Sequence, residues 1–312
     1  MEEGLEFCGT GRAVPEHILT NEDLCGMVET SDEWIQARTG IRERHICQGE
    51  TLTDLTVLAA RRAMEMAGIS ADQVGLCIVA TITPHCATPS QACLVHEQLG
   101  LAQDCPAFDL NAGCTGFLYG LETMAALLPR QRRPYGLLIG GDVLSRVVDW
   151  TDRNTCVLFG DGAGAAVLAP SKAPWTCHLH TQGDGNIIWA HGLSLGQSAI
   201  HMEGQAVYRF AVETVPKCAM ELAQQAQLPL EEVDWFVLHQ ANCRIVEAAA
   251  RQMHQPKEKF YLNMQHYGNT SAASIPIALD EMNRAGMLKK GQKILSVGFG
   301  AGLTWGGALF TW

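Results

Sequence analysis

The chain contains no run of eighteen or more apolar residues, so nothing in the sequence reads as a membrane-spanning helix. Its start, Met1-Glu2-Glu3-Gly4, lacks the basic-then-apolar order of a secretory signal. No long polar or low-complexity tract interrupts it, which argues against disorder. Positive charge is in deficit. With 22 Lys and Arg against 33 Asp and Glu, the formal net charge is -11, a field that repels phosphate and disfavours a general nucleic-acid role. No Cys-x-x-Cys pair occurs, although there are twelve cysteines. Scattered from Cys8 to Cys243, they read as reduced thiols buried as small hydrophobes. Together these absences predict a cytoplasmic protein with neither membrane nor nucleic acid as partner.

What is present is an ordinary globular composition over 312 residues, enough for two domains or one large duplicated core. Helical and strand patterns alternate, which predicts an α/β fold. Helices are expected over 57–67, 116–128, 206–227, 244–253 and 271–285, and strands over 76–83, 106–110, 135–140, 235–238 and 293–297. Two echoes suggest a duplication. Ile69-Ser70-Ala71-Asp72-Gln73-Val74 and Leu228-Pro229-Leu230-Glu231-Glu232-Val233 each precede a strand. Phe159-Gly160-Asp161-Gly162-Ala163-Gly164 and Phe299-Gly300-Ala301-Gly302-Leu303 each lead into an apolar run. The Pro170-Ser171-Lys172-Ala173-Pro174 loop marks a boundary, giving halves 1–170 and 171–312.

Three strand-to-helix turns carry chemistry. In Asn111-Ala112-Gly113-Cys114-Thr115-Gly116, Cys114 falls near a helix N-terminus, where the dipole and free N–H groups favour a thiolate and a lowered pKa. A buried structural cysteine is the alternative there, and it is the reading adopted for the other eleven. His239 ends a strand in Leu238-His239-Gln240-Ala241-Asn242. Asn269 sits in Tyr267-Gly268-Asn269-Thr270-Ser271, with Ser271 expected to cap the next helix. Ligand sites gather at strand ends in such sheets, so the three can converge. The Gly298–Gly302 turn fails as a dinucleotide fingerprint, because a strand follows it, and suits backbone donation to an oxyanion. The 160–164 turn reads as a structural turn between strands. Cys177-His178-Leu179-His180 places both histidines on one strand face, but no second ligand pair lies nearby in sequence, so no metal is expected.

These segments resemble the β-ketoacyl-acyl carrier protein synthase III family, with Thr30-Ser31-Asp32-Glu33-Trp34-Ile35, Arg38-Thr39-Gly40-Ile41-Arg42-Glu43-Arg44, Thr151-Asp152-Arg153 and Gly300-Ala301-Gly302-Leu303-Thr304-Trp305-Gly306 in the family's order. The resemblance spans nearly the whole chain. It implies a thiolase-like duplicated fold, with two pseudo-twofold-related halves layered α-β-α-β-α. It implies that Cys114 takes an acyl group from acyl-CoA and that malonyl-acyl carrier protein then condenses with it. His239 and Asn269 would stabilise the enolate, and backbone N–H groups of Cys114 and Ala301 the tetrahedral oxyanion. Trp34 and Arg153 match the adenine sandwich, Thr30 and Arg38 the polar and phosphate contacts, and Asn242 the pantetheine path. Arg209, Arg244 and Arg251 match a carrier-docking face, for which a solvated helix face is the plainer alternative. No cofactor is implied beyond the coenzyme A thioester, and a homodimer is expected.

Three positions depart from the family pattern. Thr88 stands where short-chain members carry a bulky aromatic across the dimer interface, which opens the acyl pocket to longer primers. Ala301 replaces glycine and serves as a donor if its φ is negative. The 170–200 segment is short. The competing activity is acyl transfer without decarboxylation, or priming of a specialised pathway. Degradative thiolase chemistry lacks its second cysteine, since none lies beyond Cys243.

Overall fold

The computed structural model describes residues 4–190 and 199–312. Two sheets built on one plan organise it. The first half supplies β1 (Gly4–Ala13), β2 (Val74–Ala80), β3 (Ala107–Leu110), β4 (Tyr135–Asp142) and β5 (Gly162–Ser171). The second supplies β6 (Trp175–Asp184), β7 (Trp235–Phe236), β8 (Lys293–Gly300) and β9 (Gly302–Thr311). The sheet orders are β1-β5-β4-β2-β3 and β6-β9-β8-β7. In each, the innermost hairpin is antiparallel and the strand beyond it pairs parallel. The second sheet ends in a single bridge from Phe236 to Phe260 where the first has β3. Both echoes in the sequence sit at equivalent places. A 3-10 turn precedes β2 and another precedes β7, and each glycine-rich run enters the long antiparallel strand of its sheet.

The helices are α1 (Asp32–Thr39), α2 (Leu52–Ala67), α3 (Gln91–Leu99), α4 (Gly116–Leu127), α5 (Gly204–Gln225), α6 (Cys243–Gln252) and α7 (Ser274–Arg284), together with several single turns. Local chemistry sets their ends. α2 starts earlier than its apolar periodicity suggests, because Thr51 and Asp54 form a reciprocal cap. Asn242 caps α6 by accepting from the Arg244 N–H at 2.9 Å.

Three apolar clusters hold five layers together. Outside the first sheet, Leu55, Ala59 and Ala63 of α2 and Val95 of α3 pack on Cys77, Val79 and Ile139. Outside the second, Val215 and Leu222 of α5 and Ile245 of α6 pack on Leu295 and Leu309. Between the sheets, α4 (Phe117, Leu121) and α7 (Ile275, Leu279) share a buried layer with Ile78 and Leu138 of one sheet and Ile294 and Phe310 of the other. This is the α-β-α-β-α order. Close approach at its centre depends on glycine: a Cβ on Gly140 would lie 2.2 Å from the Ala272 carbonyl oxygen. Among the described residues, no helix is long and apolar enough to cross a membrane.

Candidate active site

The central helices α4 and α7 begin at the same level of the molecule, and the turns leading to them form the floor of one cavity. That cavity holds about 880 Å³ and is lined by Cys114, His239 and Asn269 together. The three turns expected to converge therefore do so.

Cys114 lies in the 3-10 turn Gly113–Thr115 that feeds α4. Gly113 takes φ of 56°, and a side chain on Gly300 would come within 2.8 Å of the Cys114 nitrogen. The 298–302 turn is thereby pressed against the nucleophile's backbone. The expected lowering of the thiol pKa is corrected. Burial dominates and pushes Cys114 up to about 11, against opposing help from Ser271 and the backbone N–H at the helix start. Desolvation thus favours the neutral thiol at rest, whose proton leaves as the substrate is attacked.

His239 continues the β7 ladder, its N–H donating to the Val297 carbonyl at 2.9 Å. The ring is buried, and desolvation drives its pKa down to about 3, so it is uncharged near neutrality. Its Nδ1 lies 2.6 Å from Ser274 Oγ, which also receives the Gln240 N–H at 3.4 Å. Ser274 Oγ has two lone pairs and one proton, so its contact to Nδ1 fits either ring tautomer, and the tautomer with the proton on Nε2 has the Ser274 hydroxyl donating to Nδ1. In that tautomer the uncharged His239 ring is a hydrogen-bond donor toward the cavity.

Asn269 is oriented in the same manner. Its Oδ1 accepts the Ser271 N–H at 2.9 Å, leaving the amide NH2 to donate. Backbone bonds to Leu158 (2.8 Å) and from Gly160 (3.0 Å) fix the residue against the 158–160 segment. The glycine run there is not a turn between strands, as its sequence suggested. It links the short helix Arg153–Cys156 to β5 and carries the bridge from Phe159 to Asn269. Fully buried Arg44 knits this region together, donating to the carbonyls of Leu19 and Val157 and to Asn21 Oδ1. Ser271 does not cap α7. It has φ of 51° and opens a 3-10 turn, Ser271–Ala273, so that α7 starts only at Ser274. Its buried hydroxyl faces the Cys114 thiol and the buried Asp142 carboxylate instead.

The coenzyme-side residues are placed unevenly. Trp34, Arg38 and Asn242 line the cavity, and Asn242 ties α1 to α6 by donating to the Arg38 carbonyl at 3.0 Å. Arg153 lies over the Trp34 ring at 4.0 Å. A flat base between them needs about 7 Å, two contact distances, so Arg153 must swing aside to admit one. Thr30 is not brought to the cavity wall, and its hydroxyl is buried without a partner. Ala301 packs against Gly113 next to the nucleophile, its nitrogen close to that glycine, and its φ is not positive, as a backbone donor there requires. Arg209 and Arg244 stand exposed at the cavity, whereas Arg251 lies outside it and pairs loosely with Glu247 at 3.8 Å. Thr88 is exposed and away from the cavity of its own chain. The short segment falls partly on 191–198, outside the described residues.

Sequence reasoning missed Ser274 and Asp142. Asp142 Oδ1 accepts from Thr81, Ile82 and Thr83 at 2.8–3.2 Å beneath the nucleophile. Neither residue sits in a motif, and their partners are distant along the chain.

A duplicated five-layer fold with cysteine, neutral histidine and asparagine on one cavity floor defines a thiolase-fold condensing enzyme. Residues 108–185 match the description "3-Oxoacyl-[acyl-carrier-protein (ACP)] synthase III", and residues 223–312 match its C-terminal counterpart. A β-ketoacyl-[acyl-carrier-protein] synthase III of Clostridium acetobutylicum is 44% identical over 99% of this chain and 98% of its own. The crystal structure of 3-oxoacyl-[acyl-carrier-protein] synthase III from Aquifex aeolicus superposes with a TM-score of 0.94 at 42% identity, covering 99% and 100% of the two chains. The priming β-ketosynthase of the R1128 polyketide pathway superposes at 0.92 with 33% identity, covering 99% and 96%. The chain belongs to the β-ketoacyl-acyl carrier protein synthase III family.

Proposed function

We propose that this protein condenses an acyl-CoA primer with malonyl-acyl carrier protein, yielding 3-oxoacyl-acyl carrier protein, coenzyme A and carbon dioxide, the reaction that initiates fatty acid synthesis. The observation that carries this reading is the set Cys114, His239 and Asn269 lining one cavity, with the imidazole kept uncharged by burial and the Asn269 amide oriented to donate. The Cys114 sulfur attacks the thioester carbon, and coenzyme A leaves with the proton. Malonyl thioester then enters. His239 Nε2–H and the Asn269 amide stabilise its carbonyl oxygen as the carboxylate departs as carbon dioxide and the electron pair forms an enolate. The enolate carbon attacks the acyl group, and the Cys114 sulfur is expelled. A positive histidine would donate its proton outright. A neutral one, kept so by burial, stabilises the charge without quenching the carbanion.

Backbone N–H groups of Cys114 and Ala301 hold the tetrahedral oxygen in this reading. Trp34, Arg38, Arg153 and Asn242 bind coenzyme A, with Arg153 opening from Trp34 on entry. Arg209, Arg244 and Arg251 receive the acidic carrier protein. Thr88 meets the acyl pocket of a partner subunit in a homodimer and favours primers longer than acetyl. The protein needs no cofactor and acts in the cytoplasm. The test is product analysis with both substrates present. Equal yields of 3-oxoacyl-carrier protein and carbon dioxide support condensation. Transfer of the acyl group to the carrier without carbon dioxide assigns the chain to non-decarboxylating transfer instead.

A further inference from the structure

Far from the cysteine, the histidine pair on β6 meets a third ligand that its sequence neighbourhood does not contain. His178 and His180 project from the same face of β6, the edge strand of the second sheet, and α5 crosses that face. Glu221 of α5 reaches them: one ring nitrogen of each histidine and a Glu221 carboxylate oxygen all lie within 4.8 Å of one another. The three are half-buried, and none lines the catalytic cavity.

We propose that His178, His180 and Glu221 form a binding site for a divalent transition-metal ion of the zinc type, clipping β6 to α5. Two neutral imidazoles and one carboxylate are the donor set such an ion takes in three-ligand sites, and a fourth position is left for water. Tetrahedral ligation at Zn–N and Zn–O distances near 2.1 Å needs donor atoms about 3.4 Å apart, so the observed cluster closes with small rotamer shifts.

A second observation points to an occupant. The Nε2 atom of His180 is buried with no hydrogen-bond partner, a state that costs free energy unless a water or an ion fills it. The His180 ring is also held in plane, stacked on Trp305 at 5.2 Å with 14° between the rings, and it meets His178 edge-on at 88°. Directly across from His178 on β9 stands Gly307, so the paired strand places no side chain at that position. Cys218, one turn earlier on α5, is buried in the apolar core and is not one of the three clustered donors. The site is therefore a nitrogen–oxygen site in a chain with twelve free cysteines.

That chemistry supplies the test. The reduced full-length protein is titrated with cobalt(II), a spectroscopic stand-in for zinc, alongside Glu221→Gln and His178→Gln. Saturation at one equivalent, with visible d–d bands and no thiolate-to-cobalt charge-transfer band, is expected. Either variant should weaken binding by well over the ~10-fold that loss of an outer-shell partner costs, with condensation activity without metal unchanged. Zinc should raise the melting temperature of the parent protein but not of Glu221→Gln. No saturable binding, or binding through a charge-transfer band that Glu221→Gln leaves intact, overturns the proposal.

Discussion

The two halves of the molecule share a sheet order and a helix arrangement, yet they deliver opposite chemistry to the same cavity. The turn after β3 presents the Cys114 thiol, whereas the turns after β7 and before α7 present an uncharged imidazole and an amide. The difference lies in what the buried floor does to each group. Burial raises Cys114 to about 11 and lowers His239 to about 3. Both effects disfavour charge, so the resting site is electrically quiet and each charge appears only as the reaction makes it. In the proposed mechanism a duplicated scaffold divides one reaction: the first half loads the acyl group and the second generates the carbanion.

The sharpest way to break that comparison is to remove one half's chemistry at a time. Cys114→Ser should abolish acyl uptake and lower condensation ~10⁴-fold or more, because a hydroxyl at this buried site has no base to activate it. His239→Ala and Asn269→Ala should each still take up the acyl group, while condensation falls by ~100- to 1,000-fold. A His239→Ala protein that fails to acylate would show that the labour is not divided between the halves.

The stability consequence of His239 is smaller and has a defined sign. Its pKa falls from 6.5 to about 3 on folding, so between these values the unfolded chain binds the extra proton. The stabilising contribution is whole above pH 6.5 and is lost as pH falls toward 3. Denaturant melts should show a steeper stability loss below pH 6 for the parent than for His239→Gln. Trp34→Ala should raise KM for the acyl-CoA about tenfold with little change in kcat, since stacking serves binding. The smallest effect is expected at Thr88. Thr88→Phe should shift primer preference toward acetyl by a few-fold in relative kcat/KM, reading out a closed pocket in a partner subunit.

Much of this was legible from local patterns. A strand, a small-residue turn and a helix announce Cys114. A strand ending in histidine announces His239, and Gly268-Asn269 announces a shaped turn. The rest depends on contacts distant in sequence. The thiol pKa follows burial, which outweighs the helix-end effect visible locally. Ser271 looked like a cap, but its φ of 51° and the 3-10 turn delay the helix to Ser274, and the serine turns toward the nucleophile. The closed stack of Trp34 and Arg153 joins segments far apart in the chain. Glu221, which completes the histidine cluster, comes from a helix that only the fold lays across β6.

The most direct test of the division between nucleophile and carbanion-forming groups is intact-mass analysis of the protein mixed with acyl-CoAs of graded length and then with malonyl-acyl carrier protein. The account predicts a single acyl adduct on Cys114, discharged on addition of the malonyl thioester with release of carbon dioxide, and an adduct that persists in Asn269→Ala. An unmodified Cys114 under every acyl-CoA, or an adduct discharged equally by Asn269→Ala, would contradict it.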